Sequence, residues 1–107
     1  MKKKLEKDSE KILREEIKKL GGLCYKFISP GNAGVPDRII ILYGWVFFVE
    51  MKRTKGVLEP HQKNQIQKLK SRDQLATVVY GDSGVRNFIK YLQSHDYIDA
   101  DVPEEFR

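Results

Sequence analysis

The sequence predicts an α/β domain in which a central mixed β-sheet is flanked by helices, with elements in the order αβββαβα. Three observations predict it. Residues 38–43 and 45–51 are two nearly continuous apolar, β-rich runs on either side of Gly44, the pattern of a hairpin. A further β-rich run, 75–80, follows an intervening helical segment, so it enters the sheet as a crossover strand. Apolar residues recur at helical spacing at both ends: Ile12, Leu13, Ile17 and Leu20, then Val85, Phe88, Ile89 and Leu92.

Taken in order, the first element is a helix over 8–20. Asp8 or Ser9 can cap its start and Gly21-Gly22 ends it. Residues 23–29 read as a strand with Leu23, Tyr25, Phe27 and Ser29 on one face and Lys26 on the other. Pro30 to Pro36 is a loop dense in turn residues. The hairpin follows, and its continuous apolar character predicts strands covered on both faces. Arg53–Glu59 is a second loop, and Pro60 suits the first turn of a helix reaching about Arg72, with Ile66 and Leu69 facing inward. After strand 75–80, residues 83–94 form the last helix. The stretch from 95 to 107 is an acidic tail with Tyr97, Ile98, Val102 and Phe106 as its anchors, either partly disordered or packed on a partner.

At 107 residues one domain is expected, with a core over about 8–94. Charge is unevenly placed. Residues 95–107 carry five acids and one arginine, a net of −4, which leaves +9 of the +5 total on residues 1–94. A body this basic suits a polyanion, because neutralising phosphates releases counterions. A lysine-rich solvated surface is the plain alternative. Cys24 stands alone in an apolar run, which excludes an internal disulfide and suits a small buried residue in a reducing cytoplasm. One Cys and two His argue against structural zinc. The longest apolar stretch, 39–49, has 11 residues and is too short to span a bilayer.

The chemistry concentrates at the hairpin ends. Asp37 heads the first run; Glu50 and Lys52 close the second, thirteen and fifteen positions on. A two-residue turn at Tyr43-Gly44 sets Leu42 against Trp45, and Asp37 then falls opposite Glu50. Directly opposed Cβ atoms lie about 4.5–5.5 Å apart on one face. Tyr43 is a poor residue for positive φ, so a longer loop with a shifted register remains open. Glu50 and Lys52 share a face in any register. Two carboxylates so close repel unless a cation lies between them. Carboxylate oxygens suit Mg²⁺ or Mn²⁺, and a neighbouring lysine can orient the nucleophile or stabilise the phosphoryl transition state. This is the arrangement of a metal-dependent phosphodiester-cleaving site. The plain alternative is a strand-capping Asp37 and an edge ion pair.

Two further residues point the same way. Glu10 lies three before Leu13 and seven before Ile17, on the inner face of the first helix. It is either a first-turn carboxylate favoured by the helix dipole or a third acid near the metal. Gln62 lies four before Ile66 and seven before Leu69. It either satisfies backbone groups or holds the lysine, a water or a phosphate.

The string Gly34-Val35-Pro36-Asp37-Arg38, then Phe48-Val49-Glu50-Met51-Lys52, then Gly56-Val57-Leu58 with His61-Gln62-Lys63, resembles the VRR-NUC family, a branch of the PD-(D/E)XK nuclease superfamily. Glu10-Lys11-Ile12-Leu13 and Leu20 to Phe27 also match its pattern, so the resemblance covers roughly residues 8–90. It implies an αβββαβ restriction-endonuclease-like core and a Mg²⁺- or Mn²⁺-dependent phosphodiesterase. By motif, Asp37 and Glu50 would ligate metal, with the Met51 carbonyl as a further ligand and Lys52 as the catalytic lysine. Gln62 matches the glutamine after the E-x-K motif, and Glu10 the acid of the first helix. Free-standing members of this length are similar to phage and bacterial proteins that form homodimers and act on branched DNA such as Holliday junctions, which implies the bacterial cytoplasm and no membrane. Larger relatives, such as the Fanconi-associated nuclease, are joined to other domains.

A twofold dimer would present two sites for the paired cuts of a four-way junction. Trp45, Phe47, Phe88 and Tyr91 are candidates for its interface or, taken singly, for the core. Lys26, Arg38, Arg53, Lys55 and Lys63 cluster around the site elements and are candidate phosphate contacts. Two other readings compete with a structure-selective endonuclease. One is a non-catalytic nucleic-acid-binding module on the same fold, which has no need of Asp37 opposite Glu50. The other is a sequence-specific restriction-type enzyme, which usually needs added recognition segments.

Overall fold

A computed structural model describes residues 6–94 of the chain; the acidic tail expected at 95–107 lies outside the described residues. Its elements run α1 (Glu6–Lys19), β1 (Leu23–Lys26), β2 (Arg38–Leu42), β3 (Trp45–Lys52), α2 (Pro60–Lys70), β4 (Leu75–Tyr80) and α3 (Gly81–Ser94). The four strands form one sheet in the order β1-β2-β3-β4. β1, β2 and β3 pair antiparallel, and β4 joins β3 in parallel after the α2 crossover. This is the mixed sheet the sequence predicts.

The hairpin takes the tight turn. Leu42 pairs with Trp45, and the ladder runs to Arg38 opposite Val49. Tyr43 at φ 56° and Gly44 at φ 80° both adopt the left-handed region that a two-residue hairpin turn of this hand requires. Glycine does so freely. Tyr43 does not, and its strain is offset by packing of its half-buried side chain against the core.

α1 and α3 pack on each other and cover the sheet face that carries Ile40, Leu42, Phe47, Val49, Met51 and Val79. Leu13 and Ile17 of α1 and Val85 and Leu92 of α3 close this core at full burial. Phe47 and Phe88, considered for an interface, meet edge to face inside it with centroids 6.0 Å apart. Tyr91 stacks on Phe88 from the exposed side.

The second face departs from expectation. The continuous apolar runs predicted strands covered on both sides, yet burial alternates along β2. Ile41 and Val46 are paired across the hairpin and remain exposed, as do Leu23 and Tyr25 on β1. α2 packs mainly on β4, so the exposed β-branched residues here serve strand propensity rather than burial. Strand β1 also ends at Lys26 rather than 29. One more backbone bond, Phe27 N–H to the Asp37 carbonyl at 2.8 Å, follows before the chain turns at Ser29–Asn32.

Coverage of a single face has a measurable consequence. Leu13→Ala should lower the unfolding free energy by about 2–5 kcal/mol, as expected of a fully enclosed leucine. Val46→Thr should change it by less than about 1 kcal/mol. Urea titrations of both variants provide the check, and an equal loss at the two positions would mean that the second face is enclosed as well.

Candidate active site

The β2–β3 ladder stops at Arg38–Val49, one step short of Asp37, while β3 continues to Lys52 with β4 alone as its neighbour. The unbroken register places Asp37 across from Glu50. Beyond the ladder, the Asp37 side chain takes the place of strand backbone: Oδ1 accepts the Met51 N–H at 3.0 Å. A strand residue's N–H and C=O point to the same edge, so the Met51 carbonyl is turned toward the Asp37 side too.

Glu50 and Lys52 lie on the sheet face opposite the α1–α3 core. Glu50 is only 5% exposed, so its charge needs partners. Gln62 Nε2 donates to its Oε2 at 3.2 Å, and the Lys52 ammonium stands 3.9 Å from the same oxygen. Gln62 is itself fixed, because its Oε1 accepts the Glu59 N–H at 2.9 Å at the start of α2. One amide therefore closes an otherwise open helix end and holds a buried carboxylate. Of the two readings left open for Gln62 in the sequence, the backbone one is seen at Glu59, and the amide's other partner is Glu50 rather than the lysine, a water or a phosphate.

The loop leading into Asp37 is seated on the same helix turn. Gly34 has φ 89°, and a Cβ there would lie 2.6 Å from the His61 carbonyl oxygen. Only a glycine allows that approach in that conformation. Pro36, fully buried, then delivers the chain into β2.

Glu10 and Arg38 are brought together rather than spread around the site. Arg38 donates to Glu10 Oε2 at 3.2 Å, with 8% and 18% of their side chains exposed. Arg38 follows Asp37, so alternation turns it to the helix-covered face while Asp37 turns away. Expected as a phosphate contact at the surface, its guanidinium is instead buried beneath α1, where Nε has no hydrogen-bond partner. Glu10, expected near the metal, is engaged by Arg38. Among the described residues no three Asp, Glu, His or Cys side chains form a metal-holding group. Lys26, Arg53, Lys55 and Lys63 are exposed.

Cys24 is half-buried at the sheet's helix side, where burial pushes its thiol above the ordinary 9.0 against the lowering pull of Arg38 and Arg14. Two supports had no sequence signal. Ser9, fully buried, donates to Asp82 Oδ1 at 2.7 Å and ties α1 to the first turn of α3. Thr54 packs on Gly81, which has positive φ, and so fixes the chain just after Lys52. The burial of Arg38 did have a signal, since it must oppose Asp37 in facing.

No protein-family model matches the chain. A curated relative, "Putative nuclease p44" of Acyrthosiphon pisum secondary endosymbiont phage 1, is 48% identical over 54 residues, 50% of this chain. The match spans 58% of that relative's length. A solved structure described as "VRR_NUC domain" superposes with a TM-score of 0.74 at 29% identity, covering 80% of this chain and 95% of that one. A "VRR_NUC domain protein" superposes at 0.68 over 92% and 93% of the two chains; at 19% identity it speaks to the fold.

The supports around Glu50 should be visible in stability. Gly34→Ala should cost more than about 1 kcal/mol, from positive φ and the clash with His61. Gln62→Ala should cost about 1–3 kcal/mol, since it removes the amide's hydrogen bonds to the Glu59 N–H and to the buried Glu50 carboxylate. Denaturant melts of both variants test this. A neutral Gln62→Ala would mean that its two hydrogen bonds are replaced by water at no loss.

Proposed function

Because the chain belongs to the VRR-NUC family of the PD-(D/E)XK nucleases, we propose that it is a Mg²⁺- or Mn²⁺-dependent endodeoxyribonuclease. In this reading it hydrolyses phosphodiester bonds in branched, Holliday-junction-like DNA and works as a homodimer in the bacterial cytoplasm. The observation that best supports catalysis is the gathering of Lys52 and Gln62 on the buried carboxylate of Glu50, with Asp37 at the adjoining strand end.

The donor set fits a hard cation. Asp37, Glu50 and the Met51 carbonyl would hold it. Mg²⁺ is commonly bound through one or two carboxylates while keeping several waters, so a third acid is not required. A bound cation supplies charge to the phosphate oxygens and acidifies water. The chain's own groups do the rest. Asp37 is held by the Met51 N–H and Glu50 by Gln62, so neither must reorganise as charge develops. The Lys52 ammonium, beside Glu50, donates to the scissile phosphate or to the attacking water. Hydrolysis adds water across the P–O bond, and the leaving oxygen takes a proton. Glu10 acts one step removed: through Arg38 it fixes the start of β2 and hence the direction of Asp37.

DNA as substrate is supported by the +9 charge of residues 1–94 and by the exposed Lys26, Arg53, Lys55 and Lys63. A second copy is supported by the apolar sheet face left open at Leu23, Tyr25, Ile41 and Val46. Among the described residues no helix is long and apolar enough to cross a membrane.

Incubation with labelled linear duplex, flap and four-way junction DNA, in Mg²⁺, Mn²⁺ or EDTA, tests the reading. Cutting should require metal and favour the junction. It should fall at least about 100-fold in Asp37→Ala and Lys52→Ala, while DNA binding persists. Cutting that survives both substitutions overturns the site. Light scattering should give twice the monomer mass, and a monomer at micromolar concentration argues against paired cleavage.

A further inference from the structure

Beside the catalytic cluster a groove of about 390 Å³ runs between α2 and β4. Its floor is Ile66 and Val78; Lys63, Gln67 and Lys70 line it from the helix, Thr77 and Tyr80 from the strand. The helix residues follow i, i+4, i+7 spacing and so form one stripe. No acidic residue lines this groove, and α2 contains none between Pro60 and Lys70. Asp73 stands farther on, where the groove opens into a cavity of about 860 Å³ along β4.

The groove starts at the reaction centre. Tyr80 is the parallel-ladder partner of Lys52, and the two side chains share a face. Gln62, one residue before Lys63, holds Glu50. Lys63 and Lys70 are seven residues apart, about 10.5 Å along a helix axis. That is farther than neighbouring phosphates of one strand lie apart, so the two ammonium groups can meet different phosphates of the same strand. Gln67 between them is a neutral phosphate and sugar donor. Tyr80, exposed at the head of the groove, offers a ring face to an unpaired base.

We propose that the α2–β4 groove carries the backbone of one DNA strand away from the cleavage centre, with Lys63 and Lys70 on its phosphates and Tyr80 stacked on a base. This rests on the nuclease reading, and it adds Gln67, Lys70 and Tyr80 to the contacts expected from the sequence. A protein strand added to the edge of β4 is the rival occupant, and the paired lysines without a lining acid favour the polyanion.

The test is equilibrium binding by fluorescence anisotropy, with a labelled single-stranded oligonucleotide and a labelled four-way junction. Binding is measured in EDTA, so that it is read without cleavage. The slope of log K against log salt should shrink by about 1.4–1.8 in the double variant Lys63→Ala/Lys70→Ala, and by about half that in Lys70→Ala alone. Lys68→Ala, off the groove stripe on the same helix, should leave the slope unchanged. Tyr80→Ala should weaken single-strand binding roughly fivefold or more with the slope unchanged, because stacking releases no counterions. An unchanged slope in the double variant, an equal loss in Lys68→Ala, or no DNA binding at any salt overturns the proposal. So does altered self-association in light scattering with DNA affinity intact, which would give the groove to a protein partner. Failure of catalysis registers separately, as cutting that is absent or survives Lys52→Ala while these slopes still shift.

Discussion

The two-residue turn at Tyr43-Gly44 sets every other position at the site. It fixes the β2–β3 register, and in a strand a slip of one residue would send each side chain to the opposite face. With this register Arg38 turns under α1 and Asp37 turns away. Glu50 and Lys52 face α2, and Val49 and Met51 close the core. A slip would bury the carboxylate and lysine among Leu13 and Ile17. Burial of the apolar residues therefore enforces the register, and the register places the chemistry. The unfavourable φ of Tyr43 is tolerated because the hydrophobic pattern on both strands leaves no equally good alternative.

Each side chain of the site is held by something on another element. Asp37 is anchored to the β3 backbone, and its neighbour Arg38 to α1. Glu50 is held by α2 through Gln62, and the first turn of α2 is positioned by the close approach of Gly34. The chain after Lys52 leans on the start of α3 through Thr54 and Gly81, and α3 is tied to α1 by Ser9 and Asp82. A buried carboxylate is costly without partners, so the supports are also what make the site compatible with folding.

Much of this was legible in the sequence, because the governing periods are short. Alternation within 38–51 identified the strands and the shared face of Glu50 and Lys52, and the arithmetic of a tight turn gave the register. Helical phase turned Gln62 inward toward Glu50. Three features were missed, two because no local pattern encodes them and one, the burial of Arg38, because its signal is indirect. Continuous apolar character does not say how much of a sheet a single crossover helix can cover, so the open face at Ile41 and Val46 was missed. A positive residue in a basic chain reads as surface charge, and only the facing of Asp37 shows that Arg38 must go inward. The contacts of Gly34 with His61 and of Ser9 with Asp82 join residues 27 and 73 positions apart, and no local pattern encodes them.

The division between the two faces bears on why so small a domain can carry charged chemistry. The α1–α3 side buries the apolar residues that make the fold stable, with the Arg38–Glu10 ion pair beneath α1. The α2 side holds Glu50, Lys52 and Gln62 over a thinner apolar layer, with Ile66 the one residue of α2 that is buried. Placing the carboxylates there keeps their desolvation cost away from the main core. The same thinness explains the groove beside α2: a helix that does not seal its sheet leaves a channel, and lysines line it. The setting of Glu50 and Lys52 and the open groove beside α2 thus follow from one structural fact, that the crossover helix packs mainly on the β4 end of the sheet.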